Sequence, residues 1–136
     1  MYTHKAKYYE TDAMKIVHHS NYIRWMEEAK MDFLEQNGCG MTRVEAIGIT
    51  SPVVSVECNY KHTATFDDEI AVEVKVAQYT GVKLTLEYTM TNIATKAVVA
   101  TGRSCNCYVN EAGAPISIQK YFPDFDATLK ELTKNN

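Results

Sequence analysis

The sequence predicts a two-layer α+β domain in which one long helix packs on an antiparallel sheet. Early in the chain, a single segment repeats apolar residues at steps of three and four, which is the period of an amphipathic helix. Later segments alternate apolar and polar residues, which is the period of a strand with one face in water. Because short turn sequences join these segments, we expect antiparallel neighbours.

The helix is predicted over about residues 21–37. Its apolar face is formed by residues three and four apart: Tyr22, Met26, Ala29 and Phe33. Ser20 or Asn21 would accept a hydrogen bond from a free amide of the first turn. Gly38 would end the helix, since glycine adopts the left-handed conformation without steric cost. A second, short helical turn is expected at residues 42–47.

A short strand is expected before the helix, at residues 3–9. Beyond Pro52 we expect four strands, over residues 52–60, 69–79, 82–91 and 97–110. The short connections predict a meander in which each strand lies beside the next. This architecture fits the hot-dog fold, the nuclear-transport-factor-like cone and the cystatin-like fold, so architecture alone does not give the function.

Size and charge restrict the function. The 136 residues suffice for one core, so we expect a single domain over residues 1–136. A net charge of −3 offers no basic surface for nucleic acid. Because no apolar run reaches the length of a membrane span and the start is polar, we expect a cytoplasmic protein without a membrane partner. The four cysteines are then expected to be free thiols, and we expect no metal.

A carboxylate and two histidines stand directly before the predicted helix, at Asp12, His18 and His19. The free amides and the positive dipole end of a helix N-terminus stabilise a developing oxyanion. A carboxylate on the other side of the same carbonyl can attack it or activate water, which suffices to hydrolyse an activated acyl group. An aspartate before a helix is more often a turn residue, so position alone does not decide.

The segment resembles the active-site motif of hot-dog-fold acyl-CoA thioesterases of the 4-hydroxybenzoyl-CoA thioesterase type. That motif has Tyr, three residues, Asp, six residues, His, two residues and Tyr. Tyr8, Asp12, His19 and Tyr22 match it in register. The resemblance continues through residues 60–70 and 113–116, and it covers about residues 2–118. Many relatives have small residues, often glycine, where this chain has Met14 and Lys15.

The resemblance implies a hot-dog fold and hydrolysis of an acyl-CoA or acyl-carrier-protein thioester. Asp12 would be the catalytic carboxylate, as nucleophile or general base. The amides near His19 to Asn21 would form the oxyanion hole. The His19 side chain would position or polarise the substrate, and Tyr8 would orient Asp12. No metal or organic cofactor is implied, since coenzyme A is part of the substrate.

For substrate binding we expect Tyr22, Asn21 and Lys61. The resemblance also implies a homodimer, or two dimers paired into a homotetramer, with each site between two subunits. The long apolar final strands are compatible with such an interface, because an open edge would otherwise invite aggregation.

Three alternatives stay open. Glu27 and Glu28 on the helix are rival catalytic carboxylates, although an ion pair with Arg24 would explain Glu28. A hot-dog hydratase or dehydratase would also act on acyl thioesters, but it usually has a shorter Asp-to-His spacing. A non-catalytic acyl-binding or ligand-binding module would bind without turnover.

Overall fold

The computed structural model describes residues 1–134 as a five-stranded antiparallel sheet with four α-helices. The strands are β1 (Tyr2–Lys5), β2 (Val53–Tyr60), β3 (Glu69–Tyr79), β4 (Lys83–Asn92) and β5 (Val98–Cys107). The helices are α1 (Ser20–Gln36), α2 (Met41–Glu45), α3 (Ile118–Tyr121) and α4 (Pro123–Lys134), and a 3-10 turn lies at Tyr8–Glu10. None of the helices over residues 1–134 is long and apolar enough to cross a membrane.

The strand order is β1-β3-β4-β5-β2, with every pair antiparallel. The meander is confirmed for β3, β4 and β5, but the expectation that β2 lies beside β3 is wrong, because β2 pairs with β5. Residues 61–68 instead carry the chain from β2 across to β3. Backbone hydrogen bonds hold this crossing segment, from Val17 N–H to the Ala64 carbonyl and from Lys61 N–H to the Val99 carbonyl. The edges of the sheet are therefore β1 and β2.

The core lies between α1 and one face of the sheet. Alternate residues of β4 and one side of α1 are buried there: Trp25, Met26, Ala29, Leu34, Leu84, Leu86, Tyr88 and Met90. Gly102 lets α1 approach β5 closely, because a Cβ at this position would lie 2.8 Å from the Sδ and Cε atoms of Met26. The predicted alternation of β3 and β4 is confirmed.

The first strand is shorter than predicted. It ends at Lys5, and Tyr8 lies in the 3-10 turn, with its side chain 76% exposed, instead of in a strand packed on the sheet. The physical reason is Glu10, whose carboxylate accepts a hydrogen bond of 2.7 Å from the Lys7 backbone N–H and closes the turn.

The ends of α1 differ in how well they were predicted. At the C-terminal end, Gly38 has φ +74°, as expected. At the N-terminal end, the first residue outside the helix is His19, and neither Ser20 nor Asn21 caps it. The Ser20 N–H donates instead to Nδ1 of His18 at 3.2 Å, so an imidazole takes the place of the expected cap.

The helices α3 and α4 were not predicted. They cover the apolar side of the sheet beyond the end of α1, where Phe125 and Leu129 are buried. The Tyr79 hydroxyl on β3 donates to the Asp126 carboxylate at 2.5 Å and fastens α4 to the sheet.

Candidate active site

A cavity of about 320 Å³ lies between the start of α1, the loop before it and the end of β2. Four of the six predicted site residues line it: Asp12, His19, Tyr22 and Lys61. The other lining residues are apolar, aromatic or polar: Met14, Ile16, Val17, Tyr60, His62 and Thr63. The structure thus brings together predicted site residues that are up to 49 positions apart in the sequence, Asp12 and Lys61.

The loop that carries Asp12 is tightly closed. The Asp12 N–H donates to the Ile16 carbonyl at 2.9 Å, and the Lys15 N–H donates to the Asp12 carbonyl at 2.9 Å. One carboxylate oxygen of Asp12, Oδ1, accepts a hydrogen bond of 2.8 Å from the Met14 N–H. Because one oxygen is fixed by the backbone, the half-buried carboxylate is oriented while it borders the cavity.

Lys15 stands in this loop with φ +65°, a left-handed conformation that glycine adopts more readily. We expect Lys15→Gly to raise the free energy of unfolding by about 0.5–1 kcal/mol, because it relieves a strained backbone. Urea unfolding would measure the change. A loss of stability would show that the Lys15 side chain contributes more than the strain costs.

The start of α1 has one amide without a hydrogen-bond acceptor in the described part of the chain, at His19, which lines the cavity. The Ser20 N–H donates to the His18 imidazole at 3.2 Å, and the Asn21 N–H donates to the His18 carbonyl at 3.0 Å. The His19 N–H has no hydrogen-bond acceptor among residues 1–134. Of the three amides expected near His19 to Asn21, only that of His19 is therefore free to bind an oxyanion.

Aromatic rings support the wall that holds His19. The Tyr60 hydroxyl donates to the His19 carbonyl at 3.1 Å. The Tyr60 ring stands edge-on to Tyr22, with ring centroids 5.3 Å apart, and to His19, 6.2 Å away. Tyr22 is buried, and burial raises the pKa of its hydroxyl. Tyr22 therefore stays a neutral wall residue at physiological pH.

Beneath the loop, the buried Glu10 carboxylate connects α1 to β1. It accepts hydrogen bonds from Trp25 Nε1 at 2.8 Å and from the Lys7 N–H at 2.7 Å, and it contacts His4 Nε2 at 2.9 Å. Burial alone would raise the pKa of Glu10, but the hydrogen bonds outweigh burial and lower it. The Glu10 carbonyl also accepts from the His18 N–H and from Asn21 Nδ2, both at 2.8 Å.

Two predicted site residues lie away from the cavity. The Tyr8 ring is in edge contact with Phe66, and among the described residues its hydroxyl makes no hydrogen bond to Asp12. Asn21 is buried, and its side chain donates to the Glu10 carbonyl and accepts from Arg24 at 3.0 Å. Asn21 therefore supports the loop from behind the 320 Å³ cavity, and it lines a separate cavity of about 440 Å³ on the other side of Asp12.

The rival carboxylates also have other partners. Glu28 accepts from the Tyr2 hydroxyl at 2.5 Å and lies 3.4 Å from His4 Nδ1. The expected pair of Arg24 with Glu28 is not formed, since the guanidinium donates to Asn21. Glu27 pairs with Lys30 at 2.9 Å. Neither glutamate lines the 320 Å³ cavity, although Glu28 lines a separate cavity of about 440 Å³ that Asp12 also borders.

Sequence reasoning missed Tyr60 and Glu10. Tyr60 stands at the end of a predicted strand and begins the matched segment at residues 60–70, but it was not predicted as a site residue. Glu10 lies within the matched segment, but nothing in the spacing distinguishes a buried carboxylate from a solvated one. Its partners Trp25 and His4 come from two other elements, so only the folded chain brings them together.

Comparison with known proteins gives a consistent result. Residues 7–129 match the Thioesterase-like superfamily. A Bacillus subtilis (strain 168) protein, YneP, named as a candidate acyl-CoA thioesterase, is 30% identical over 130 residues, 96% of this chain and 94% of that protein. A DHNA-CoA thioesterase structure from Staphylococcus aureus has TM-score 0.93 and 28% identity, covering 98% of this chain and 89% of that chain. The structure of the gentisyl-coenzyme A thioesterase BH1999 has TM-score 0.81 and 25% identity, covering 94% of this chain and 98% of that chain.

A carboxylate and a free amide at a helix start, bordering one open cavity, define a site suited to acyl transfer. The chain belongs to the Thioesterase-like superfamily. The predicted hot-dog fold and the predicted enzyme class, thioester hydrolase, are both confirmed.

Proposed function

We propose that this chain hydrolyses an acyl-CoA thioester to the free acid and coenzyme A at the cavity beside Asp12. The observation that carries the proposal is the position of the Asp12 carboxylate, held by the Met14 N–H in the same cavity wall as the start of α1. The family and the names of the relatives support the substrate class.

The reaction follows from this arrangement. The thioester carbonyl enters between Asp12 and His19, and its oxygen accepts a hydrogen bond from the His19 N–H. Asp12 either attacks the carbonyl carbon to form an anhydride that water then opens, or takes a proton from a water that attacks. In both routes the C–S bond breaks and the thiolate leaves with the electron pair. The thiolate then takes up the proton that the water releases, from Asp12 in the general-base route and from the water that opens the anhydride in the other. A thiolate leaves readily, so no strong general acid is required.

The substrate's remaining parts have proposed partners in the same wall. Lys61 stands exposed at the end of β2 and would pair with a phosphate of coenzyme A. Tyr22 would contact the bound thioester, and Asn21 would support the loop that carries Asp12. Tyr8 is exposed, so it would reach Asp12 only after its side chain moved. An acyl-carrier-protein thioester would present the same reacting atoms. We also propose a cytoplasmic location, in which the four free cysteines would stay reduced.

Product analysis tests the proposal. The wild-type chain is incubated with short, medium, long and aromatic acyl-CoAs, and products are followed by thiol release and NMR. We expect equal amounts of free acid and coenzyme A from part of the panel. A product with the thioester intact and water added to the acyl chain would indicate the hydratase alternative, and binding without any product would indicate a ligand-binding module.

We further propose that the chain works as a homodimer, paired through β2, or as a homotetramer of two such dimers. The final strand does not supply the open edge, as the sequence suggested, because β5 lies inside the sheet. The open edge is β2, where Val53, Val54 and Val56 are 48%, 52% and 44% exposed. An apolar edge strand of this kind pairs readily with a second copy.

Val56→Lys tests this interface. In an antiparallel pair of identical strands related by a two-fold axis, residues near the strand centre lie close to their own copies. A lysine there places two positive charges together, so we expect monomers at micromolar concentration by light scattering and at least about tenfold loss of thioesterase activity. Val56→Thr keeps the shape without charge and should remain dimeric. A dimeric Val56→Lys would contradict pairing through β2.

A further inference from the structure

The His18 side chain closes a small hydrogen-bonded ring at the start of α1. Its Nδ1 accepts from the Ser20 N–H at 3.2 Å and also lies 2.8 Å from Ser20 Oγ. A side chain that accepts from the amide two residues further along forms the arrangement of an Asx turn, in which asparagine or aspartate normally supplies the acceptor. This ring encloses the peptide bond between His18 and His19, so the imidazole restrains that peptide.

The same peptide is held at its carbonyl. The His18 carbonyl accepts from the Asn21 N–H at 3.0 Å and from Asn21 Nδ2 at 3.3 Å. The peptide bond is trans, so its N–H, which belongs to His19, points away from this carbonyl. The direction of the proposed oxyanion donor is therefore set by the bonds that His18 makes.

His18 itself lies outside the cavity in which the thioester is proposed to bind. Its backbone N–H donates to the Glu10 carbonyl at 2.8 Å, and its ring lies against the His19 ring with centroids 4.2 Å apart. The exposed imidazole lines the 440 Å³ cavity on the other side of Asp12. His18 can therefore act on the reaction only through the peptide that it holds.

We infer that His18 is a positioning residue, whose neutral imidazole holds the His19 N–H in the direction that binds the oxyanion and whose protonation releases this amide. The inference rests on the proposed thioesterase function and adds a control of the same site by pH. Nδ1 accepts from Ser20 only while it carries no proton, so the neutral ring carries its proton on Nε2.

Protonation reverses the contact with Ser20. An imidazolium carries a proton on both nitrogens, so two donors, His18 Nδ1–H and the Ser20 N–H, would face each other. The new proton can turn to Ser20 Oγ, 2.8 Å away, but the Ser20 N–H then has lost its acceptor. A positive charge also opposes the dipole at the N-terminus of α1. The turn opens, and the His19 amide loses its fixed direction.

Charged and titratable groups from three elements face the His18 ring and influence the pH of this transition. They lie on the 3-10 turn, on the loop before α1 and on α1 itself: Tyr9, Glu10, Asp12, His19, Arg24 and Glu28. Because their charges have both signs, the transition is best followed directly. NMR of the His18 Cε1–H signal, identified by its loss in His18→Asn, gives the pH at which the ring titrates.

The pH dependence of kcat tests the inference. Carboxylic acids ordinarily titrate at about pH 4 and imidazoles at about pH 6.5. Between pH 8 and about pH 5.5 we expect wild-type kcat to fall about tenfold, less than the loss of an oxyanion donor altogether, with its inflection where the His18 signal titrates. Coenzyme A is quantified by chromatography, because thiol reagents require thiolate, which is scarce at low pH.

His18→Asn is the conservative variant. Its amide oxygen accepts from the Ser20 N–H but takes up no proton in this range. It should keep at least about a third of wild-type kcat at pH 8 and lose less than about threefold on acidification. His18→Ala offers no acceptor, so we expect kcat at least about tenfold below wild type at pH 8 and KM changed less than about threefold, since the loss concerns the transition state.

Ser20→Ala separates the two contacts of the imidazole. It removes Oγ and keeps the backbone N–H, so it should retain the acid inflection of wild type. Backbone amide NMR gives a readout that needs no substrate. In wild type the His19 and Ser20 amide signals should shift together with the titration of His18, and in His18→Asn they should stay constant over the same range.

The outcomes separate this inference from the proposed function. Full kcat in a folded His18→Ala variant, or a wild-type inflection that persists in His18→Asn, overturns the positioning role while thioester hydrolysis stands. Equal losses in His18→Asn and His18→Ala overturn it as well, because a neutral acceptor would then not suffice. A wild-type chain that cleaves no thioester overturns the proposed function. Amide signals of His19 and Ser20 that ignore the titration of His18 overturn the inference by themselves.

Discussion

Replacing Asp12 by asparagine lowers kcat for acyl-CoA hydrolysis by at least about a hundredfold, the scale expected when a general base is removed. The amide oxygen of asparagine still accepts a hydrogen bond from the Met14 N–H, so the loop keeps its shape. The amide can neither attack a carbonyl nor take a proton from water. Thiol release from the best acyl-CoA measures the loss, with a correction for the protein's own cysteines.

Asp67→Asn is the matched control for this experiment. Asp67 is an exposed aspartate in the neighbouring crossing segment, where it pairs with Lys5 at 3.3 Å and lies outside the Asp12 cavity. It should keep wild-type activity. If a folded Asp12→Asn variant keeps full activity as well, Asp12 is not the catalytic carboxylate, and Glu27 and Glu28 become the next candidates.

Replacing Glu10 by alanine lowers the free energy of unfolding by about 3 kcal/mol, the scale of breaking a buried hydrogen-bonded charge. The variant leaves Trp25 Nε1 and the Lys7 N–H without their acceptor in a buried place. Because the 3-10 turn and the start of α1 both rest on this carboxylate, we also expect activity to fall. Urea unfolding measures the first effect, and Glu131→Ala, at an exposed glutamate on α4, should change stability by less than about 0.5 kcal/mol.

The stabilisation by Glu10 should depend on pH. Its pKa is lowered in the folded chain, so the unfolded chain binds the proton more readily. The stabilisation is therefore complete above the pKa of the unfolded state, near pH 4, and is lost as the pH falls through the lower folded value. Glu10→Gln, which cannot ionise, should differ most from wild type at pH 7 and least near pH 3. A difference that stays constant across this range would contradict an ionised Glu10.

Local patterns predicted most of the fold. The period of α1, the alternation of β3 and β4 and the left-handed Gly38 each depend on residues close in sequence, and all three are confirmed. The order of the strands depends on where residues 61–68 run, which no local pattern encodes. Hence β2 was placed beside the wrong neighbour. The C-terminal helices were missed for a related reason, since tertiary packing of Phe125 and Leu129 holds them.

The site was predicted through its motif, and the structure refines that prediction. The spacing of Asp12, His19 and Tyr22 places all three on one cavity, but the same spacing does not reveal that Tyr8 points elsewhere. Which amide is free depends on the His18 side chain, whose Nδ1 accepts from the Ser20 N–H. A sequence motif fixes residue types along the chain, whereas hydrogen bonds between side chain and backbone decide which groups remain available.

The most direct test of the account is a crystal structure of the Asp12→Asn variant with an intact acyl-CoA. We expect the thioester carbonyl carbon to lie within about 3.5 Å of the residue 12 side chain. Its oxygen should lie about 2.7–3.1 Å from the His19 backbone nitrogen, the distance of an oxyanion donor. A thioester bound away from both groups would contradict the assignment of this cavity as the active site.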